Sequence, residues 1–160
     1  MADADRTLSL QEVSLENWED CADLELPPDQ EDFVATNLYS LAESKFEPHY
    51  LPRAICLGDC VVGFLMYCPE TDPPDPELFW LLRFMIAREH QGRGLGKRAL
   101  QLAIKQMQQR GARRIITMHK PSNAVAEKMY DSAGFVATGE LDGWGDVLRE
   151  LVISSTALGG

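Results

Sequence analysis

The feature that most constrains the fold is an almost uninterrupted apolar run, LFWLLRFMIA, at residues 78–87. Such a run is typical of a strand buried on both faces, which needs other layers of the fold on each side of its sheet. A glycine-rich segment, QGRGLG, follows at 91–96, and after it apolar residues recur with a helical period at 95, 99, 102, 103 and 107. The sequence therefore predicts a buried strand, a glycine loop and an amphipathic helix in succession.

Further helices and strands are predicted around this unit. Strands are expected at 7–13, 53–57, 60–68, 113–118, 135–141 and 146–153, helices at 14–26, 30–46 and 123–133, and a polar proline-rich loop at 70–76. The second helix is expected to place Phe33, Leu38, Leu41 and Ala42 on one side. No internal repeat or linker interrupts this order, so the prediction is a mixed α/β or α+β domain around one sheet.

The composition is that of an ordinary soluble domain. With 160 residues, 45% of them hydrophobic and 25% charged, the chain has room for one core. We expect one domain, with its core at about 7–153 and a frayed tail at 154–160. The start, MADADRTLSL, has two aspartates where a signal peptide needs positive charge, and no run approaches the roughly 20 apolar residues of a membrane helix. We therefore expect a cytoplasmic protein with no membrane partner.

The four cysteines indicate neither a disulfide framework nor a metal site. They stand at 21, 56, 60 and 68 and contain no CxxC pair. No zinc ribbon is therefore indicated, and we expect no metal. Three of these cysteines are expected to be core or strand residues: Cys56, Cys60 and Cys68.

The charged residues are distributed unevenly. Residues 1–79 contain 18 acidic and 3 basic side chains, whereas residues 80–160 contain 7 acidic and 12 basic ones, and the net charge is −10. Because an acidic chain is a poor partner for a phosphate backbone, no nucleic acid is expected. Two interpretations stay open. The asymmetry reflects either chance on an acidic surface or a chain that binds a cation with its first half and an anion with its second.

The glycine segment by itself suits an anion. At a helix N-terminus the first amides are unpaired and the dipole is positive, and glycines let the backbone approach phosphate oxygens. Arg93, Lys97 and Arg98 add positive charge at this end. The pattern is one residue short of a Walker loop, and its GxGxG spacing is not that of a dinucleotide fingerprint. For the loop taken alone, a glycine-rich connection without a ligand is the alternative.

Two motifs in register carry a family resemblance. The pattern I-x4-Q-x2-G-x-G at residues 86–96 resembles the Q/RxxGxG/A acetyl-CoA motif of the GNAT N-acetyltransferases. The pattern N-x2-A-x3-Y-x3-G-F at 123–135 resembles the second signature of the same family. Both lie on the expected elements, in the expected order, and the resemblance covers roughly residues 7–153.

The resemblance implies a fold and a cofactor. The fold is a mixed, mostly antiparallel sheet of six to seven strands flanked by four helices, and the strand before the loop splays from its neighbour at the acetyl-CoA site. The backbone of that strand is expected to pair with the pantetheine arm, and the loop amides are expected to hold the pyrophosphate. The residues expected to bind acetyl-CoA are Phe84, Met85, Ile86, Gln91, Gly92, Arg93, Gly94, Leu95, Gly96, Lys97, Asn123 and Tyr130. Asn123 either contacts the pantetheine arm or caps its own helix.

The resemblance also implies direct acetyl transfer to an amine. Tyr130 is the expected catalytic residue, because in this family the matching phenol protonates the leaving thiolate; packing on the helix face is the alternative. The general base is not identified, since Leu82-Arg83 stands where some polyamine-acetylating relatives have a glutamate. Water relayed to one of three carboxylates would serve instead: Glu43, Glu77 or Glu140.

The acceptor is expected to be a polyamine such as spermine or spermidine. Three segments, at 37–50, 80–86 and 139–153, are similar to the bacterial spermine/spermidine N-acetyltransferases, and an acidic groove would concentrate a polycation. The residues expected to contact the acceptor are Glu43, Trp80, Arg83 and Glu140. The positive charge of Arg83 should repel a cationic acceptor. Arg83 therefore either pairs with a carboxylate such as Glu140 or binds a substrate carboxylate.

Two other functions stay open at this point. One is a GNAT enzyme with a different acceptor, namely an amino acid, an aminoglycoside or a protein N-terminus. The other is a non-catalytic acetyl-CoA-binding module. A homodimer is a family-level expectation.

Overall fold

The computed structural model describes residues 6–154, which form seven strands and four α-helices. The strands are β1 (Leu8–Glu12), β2 (Leu51–Leu57), β3 (Cys60–Thr71), β4 (Pro74–Ile86), β5 (Arg114–His119), β6 (Val136–Leu141) and β7 (Val147–Val152). The helices are α1 (Trp18–Ala22), α2 (Asn37–Phe46), α3 (Leu95–Gln109) and α4 (Ala124–Ser132), and short 3-10 segments lie at Pro28–Phe33 and Arg88–His90. Of the expected frayed tail, residues 155–160 lie outside the described residues.

The seven strands form one sheet in the order β1-β2-β3-β4-β5-β7-β6. Neighbouring strands are antiparallel except for β4 and β5, which are parallel. This arrangement confirms the expected mixed, mostly antiparallel sheet with four helices.

The sheet is covered on both faces. One core includes Leu65, Leu81 and Leu100 and lies against α3 and α4. The other includes Phe64 and Met85 and lies against α1 and α2. Because β4 contributes side chains to both cores, its sequence is apolar at nearly every position. The prediction of a doubly buried strand at 78–87 is confirmed.

Strands β4 and β5 pair over only part of their length. Their register runs from Leu78 opposite Arg114 to Leu81 opposite Thr117 and stops there. At that point the β3–β4 pairing shifts, and Leu82 is the extra residue of a bulge. Beyond it β4 follows β3 as far as Ile86, whereas β5 follows β7. The two central strands therefore diverge, as the family resemblance implied.

The helical predictions near the N-terminus were partly wrong. Helix 14–26 is only Trp18–Ala22, and a single residue of it, Cys21, is buried. The expected helix 30–46 is broken, because the chain becomes extended at Val34 and Thr36 caps α2 by accepting a hydrogen bond from the Tyr39 amide.

The face of α2 that packs on the sheet also differs from the expectation. Leu38 is 58% exposed, while Asn37 and Ser40 are buried. Asn37 donates hydrogen bonds to the carbonyl oxygen of Cys21 at 2.9 Å and to the sulfur of Met85 at 3.6 Å. These bonds offset the cost of burying its amide. Leu41 packs against the core as expected, but it shares the inner face with Asn37 and Ser40, where apolar residues alone were expected.

The proline-rich stretch at 70–76 is not a loop. Strand β3 continues to Thr71 and β4 begins at Pro74, so only Asp72 and Pro73 turn the chain. Trp80 on β4 donates its indole N–H to Oε2 of Glu70 on β3 at 2.6 Å. Pairing along this hairpin outweighs the local preference of proline for loops.

Gly63 on β3 should be required for the close approach of β3 and β4. A Cβ at this position would lie 2.5 Å from the backbone oxygen of Met85. We expect Gly63→Ala to lower the free energy of unfolding in urea by about 1–3 kcal/mol, because the strands must move apart. Gly143→Ala is the control, since its Cβ would meet no atom within 4 Å. Equal urea midpoints for the two variants would contradict this account.

Candidate active site

A cleft of about 1410 Å³ opens where β4 and β5 diverge. Its floor is the end of β4 together with Thr117–Lys120, and the glycine loop closes one end. The 3-10 segment Pro28–Phe33 and the residues that follow it as far as Thr36 form one wall. Helix α4 and the β6–β7 turn form the other. The lining includes these expected site residues: Trp80, Arg83, Phe84, Met85, Ile86, Gln91, Gly92, Gly94, Leu95, Gly96, Lys97, Asn123 and Tyr130. It does not include Arg93, Glu43 or Glu140.

The glycine loop has the geometry of an anion site. Gly92 and Gly94 have φ angles of +79° and +75°, and a Cβ at either would meet no atom within 4 Å. Helix α3 begins directly after Gly94, with no side-chain cap and no acidic residue in its first turn. Lys97 lines the cleft at the same end. An uncapped helix N-terminus beside open space fits a diphosphate group.

Two side chains of the loop hold the protein itself together. Nε2 of Gln91 donates to the carbonyl oxygen of Ile86 at 2.9 Å and to Oε1 of Gln30 at 3.0 Å. Arg93 contacts Nδ1 of His90 and lies outside the cleft lining. Gln91 therefore ties the loop to β4 and to the Pro28–Phe33 segment, and the residue also lines the cleft.

Close packing explains the last glycine of the motif. A Cβ on Gly96 would lie 3.3 Å from the sulfur of Met129 and 3.6 Å from Cγ1 of Ile86. Leu95 beside it is 1% exposed and belongs to the core. These contacts set α3 against β4 and α4, which fixes where the helix N-terminus points.

The end of β4 presents its backbone to the cleft. Phe84, Met85 and Ile86 line the cleft and pair with β3 on one side only, because pairing with β5 ends at Leu81. Peptide groups on the other side are available to a ligand that carries amides of its own.

Tyr130 projects from α4 into the buried part of the cleft. It is 4% exposed, with its ring centroid 6.1 Å from that of His119 and 5.4 Å from that of Phe135. Burial raises the pKa of the Tyr130 phenol, and a hydrogen bond with Thr117 partly offsets this. Because burial disfavours the phenolate, Tyr130 keeps its proton at neutral pH and can act as an acid.

Asn123 caps its own helix and also lies at the cleft. Its side-chain oxygen accepts a hydrogen bond from the Ala126 amide at 3.1 Å, which caps α4, and the residue also lines the cleft. The capping role is confirmed, and contact with a cofactor stays a prediction.

The environment of Arg83 corrects one expectation. Its guanidinium lies 3.2 Å from Oε1 of Glu43, so it pairs with Glu43 on α2 and not with Glu140. Glu140 is exposed on β6, and Glu77 pairs with Arg113 at 3.4 Å outside the cleft. The positive charge of Arg83 is thus balanced by a carboxylate behind the cleft wall.

The carboxylates that do line the cleft were not singled out by sequence. Glu31 and Asp32 come from the 3-10 segment, and Asp142 and Asp146 from the β6–β7 turn. Asp146 lies 3.1 Å from Nζ of Lys120. Trp144 is 87% exposed at the same rim. The four carboxylates Glu31, Asp32, Asp142 and Asp146 are called the carboxylate rim below. No motif marks them, because they come from two distant segments of the sequence that line one cleft only after folding.

The buried polar residues Thr117, His119 and Arg149 were also missed. Alternation along RIITMH places Ile115, Thr117 and His119 on the buried face of β5, which is the signal that could have found the first two. The sequence around Arg149 contains no such signal, since its burial depends on partners in α4 and β5.

Three of the four cysteines are poor nucleophiles in this fold, and the fourth, Cys60, is exposed at the start of β3. Burial raises the pKa of Cys21 and of Cys68 to about 12, and it also raises the pKa of Cys56. Within the part of the chain that the structure describes, the cleft lining contains no cysteine. A covalent acetyl-cysteine route therefore has no support, which agrees with direct transfer.

Between residues 6 and 154, no group of three or more His, Cys, Asp or Glu side chains is placed to hold a metal ion. None of the helices described there has the length and apolar character to cross a membrane.

Comparison with known proteins establishes the family. A family model described as the acetyltransferase (GNAT) family matches residues 12–135. The chain belongs to the GNAT family and is an N-acetyltransferase. A spermine/spermidine N(1)-acetyltransferase of Bacillus subtilis (strain 168) is 29% identical over 140 residues, which are 85% of this chain and 92% of that protein.

Solved structures share the GNAT fold. An acetyltransferase from Thermus thermophilus has a TM-score of 0.67 at 22% identity and covers 92% of this chain and 97% of its own. The aminoglycoside acetyltransferase AAC(6')-Ib, in complex with coenzyme A, has a TM-score of 0.76 at 15% identity, covering 91% and 95%.

The assignment of the glycine loop to a diphosphate can be tested with Gly94→Glu. The new carboxylate would occupy the open space beside the helix N-terminus and repel phosphate, so we expect no measurable acetyl-CoA binding by calorimetry. Gly139→Glu is the matched control, because Gly139 has a φ of +88°, equally open surroundings and a place outside the cleft. It should bind normally; unchanged affinity in Gly94→Glu would remove the assignment.

Proposed function

We propose that this GNAT enzyme transfers the acetyl group of acetyl-CoA directly to a primary amine of a small polycation, a polyamine such as spermine or spermidine. The observation that carries the proposal is one cleft whose lining combines the glycine loop and Lys97, a protonated buried phenol and four carboxylates.

The cofactor half of the cleft suits acetyl-CoA. The helix N-terminus and Lys97 would hold the diphosphate, and the free backbone edge of Phe84–Ile86 would pair with the amides of the pantetheine arm. This placement brings the thioester to the diverging strands beside Tyr130. Acetyl-CoA supplies the activated acetyl group, and the protein supplies position, dry surroundings and a proton.

The catalytic step needs a neutral amine and a proton for the leaving thiolate. A free alkyl amine has a pKa near ~10.4, so its attacking form must first lose a proton to a base or to water. Tyr130 would donate its proton to the departing sulfur, and the proton lost by the amine would restore the phenol. Because burial holds the pKa of Tyr130 above its usual value, the acid stays protonated across the neutral range.

The carboxylates of the cleft would favour a cationic acceptor. Glu31 and Asp32 lie on one wall and Asp142 and Asp146 on the other; the lining also contains Lys128 and Lys120, and Lys120 pairs with Asp146 at 3.1 Å. The positive charge of Arg83 would repel a cationic acceptor, but Glu43 balances it at 3.2 Å. The name of the Bacillus subtilis relative points to the same class of acceptor. A polyamine offers several separated ammonium groups, so one can react while others lie near the rim carboxylates.

The direct experiment measures thiol release from acetyl-CoA with spermine, spermidine, putrescine, lysine, an aminoglycoside and a short peptide. Release confined to spermine and spermidine supports the proposal. Release with lysine or the peptide alone would replace the polyamine by an amino-acid or protein acceptor. Acetyl-CoA binding without any release would favour a binding module over an enzyme of these amines.

The role of Tyr130 predicts the outcome of Tyr130→Phe. Removing the hydroxyl removes the acid but keeps the ring contacts with His119 and Phe135. We expect kcat to fall about 10²-fold or more with little change in the Kd for acetyl-CoA. Stopped-flow or steady-state assay of thiol release measures the first quantity and calorimetry the second. A kcat within about twofold of the wild type would leave Tyr130 as a packing residue only.

If the carboxylate rim binds the cationic acceptor, its negative charge should lower the KM for spermine. Replacing Glu31 and Asp32 together by Gln and Asn keeps their shape and removes two negative charges. We expect the KM for spermine to rise about three- to tenfold at low salt, and less at high salt, because exposed charges are screened. Glu77→Gln is the control, since Glu77 lies outside the cleft. An equal KM in all three proteins would remove these carboxylates from the acceptor site.

A further inference from the structure

A buried arginine behind Tyr130 has no place in the family motifs or in the proposed chemistry. Arg149 on β7 is 5% exposed. Its Nε donates to Nε2 of His119 at 2.9 Å, and its Nη1 donates to a carboxylate oxygen of Asp131 and to the carbonyl oxygen of Phe135 at 3.5 Å. Its Nη2 lies 3.6 Å from Oε1 of Glu127. One guanidinium thus joins β7, β5 and α4.

These hydrogen bonds determine the protonation state of His119. An arginine N–H can only donate, so Nε2 of His119 must present its lone pair. Nδ1 lies 2.9 Å from the carbonyl oxygen of Lys120, which can only accept, so Nδ1 carries the hydrogen. His119 is therefore held as the neutral Nδ1–H tautomer.

This tautomer is not compatible with His119 acting as the general base. His119 lines the cleft and would be the natural candidate for the base that deprotonates the amine. Its single lone pair, however, already accepts a hydrogen bond from Arg149. A histidine in this state has no free acceptor for a substrate proton, so it is not the general base.

Arg149 and His119 act on Tyr130 in two ways, through its ring and through its helical turn. The His119 ring stacks on the Tyr130 ring, with centroids 6.1 Å apart and an interplanar angle of 24°. Glu127 and Asp131, which Arg149 binds, lie on the helical turn of α4 that carries Tyr130. Arg149 therefore restrains both the backbone that bears the phenol and the ring on which the phenol rests.

We propose that Arg149 and His119 are positioning residues for the hydroxyl of Tyr130. Arg149 locks the tautomer and orientation of the His119 ring and holds the Tyr130 turn of α4, so that the phenol is kept at one place beside the diverging strands. The inference rests on the proposed role of Tyr130 as the acid.

The chemistry of the group supports positioning over simple packing. Burying a guanidinium is costly, and well-packed apolar residues often stabilise a fold as well or better. An apolar pair could hold α4 on the sheet, but it could neither select a histidine tautomer nor fix the angle of a planar fork. Directional hydrogen bonds are what a precisely placed acid needs.

A double-mutant cycle with Arg149→Met and Tyr130→Phe tests this assignment, using whichever amine gives the fastest thiol release. We expect Arg149→Met alone to lower kcat about tenfold with the KM for acetyl-CoA changed less than about threefold. In the Tyr130→Phe background the same change should cost less than about twofold, because the group it positions is gone. A loss of about tenfold in both backgrounds would overturn the proposal. Tyr130→Phe alone tests the acid, so failure of that role is separately visible.

Arg114→Met is the matched control. Arg114 on β5 forms a two-bond ion pair with Glu150 on β7, at 3.1 Å for each bond, and it lies outside the cleft lining. The variant removes an ion pair between the same two strands, and kcat should stay within about twofold of the wild type. A fall equal to that of Arg149→Met would mean that any loosening of β5 against β7 lowers the rate, which would overturn a specific role.

A readout independent of activity is the tautomer of His119, observed by nitrogen-15 NMR of the ligand-free protein and assigned with His119→Gln. We expect the Nδ1–H form alone in the wild type and a mixture in Arg149→Met. If Arg149→Met does not fold, Arg149→Lys replaces it, since lysine keeps the charge but lacks the fork. An Nε2–H or doubly protonated ring in the wild type, or an unchanged tautomer in both variants, would overturn the proposal.

Discussion

The separation of β4 from β5 beyond the Leu81–Thr117 pair is the constraint on which the rest of the structure depends. Two parallel strands in the middle of a sheet would normally continue to pair, because unpaired buried peptide groups are costly. Here the bulge at Leu82 turns β4 aside, and its final residues keep only β3 as a partner. The gap that results is the cleft, and its unpaired edge is the surface that the pantetheine arm is proposed to use. The glycine loop and α3 follow directly from the end of β4, so the same divergence positions the loop that is proposed to bind the diphosphate.

Charged side chains of both signs line this cleft. Lys97 lies beside the N-terminus of α3, and Glu31, Asp32 and Asp142 contribute negative charge elsewhere in the lining. Arg83 is paired with Glu43, and Lys120 is paired with Asp146. The proposal assigns an anionic cofactor to the helix N-terminus and a cationic acceptor to the carboxylates. The uneven charge of the two halves of the sequence explains this only in part, because Asp142 and Asp146 belong to the basic half.

Sequence reasoning succeeded where a local pattern carries the information. The apolar run at 78–87, the glycines after it and the amphipathic α3 were all found, because each pattern reports its own surroundings. It failed at 30–46, where Val34 is extended and α2 buries Asn37 and Ser40. Hydrophobic periodicity predicts apolar residues on the inner face of a helix. It contains no information about the carbonyl oxygen of α1 that accepts a hydrogen bond from Asn37.

The functional residues divide in the same way. By itself the sequence determined the family and the strand–loop–helix unit, and it predicted an anion site in the loop and a catalytic role for Tyr130, since these depend on residue types at short, regular spacings. Only the tertiary structure decided which carboxylates line the cleft, which one balances Arg83, and that Arg149 is buried against His119. The two pairs join residues that are 30 and 40 positions apart in the sequence. The two segments that supply the carboxylates of the cleft are separated by a longer stretch of chain. Burial and pairing at such separations arise from how the layers of the fold stack, which no local pattern records.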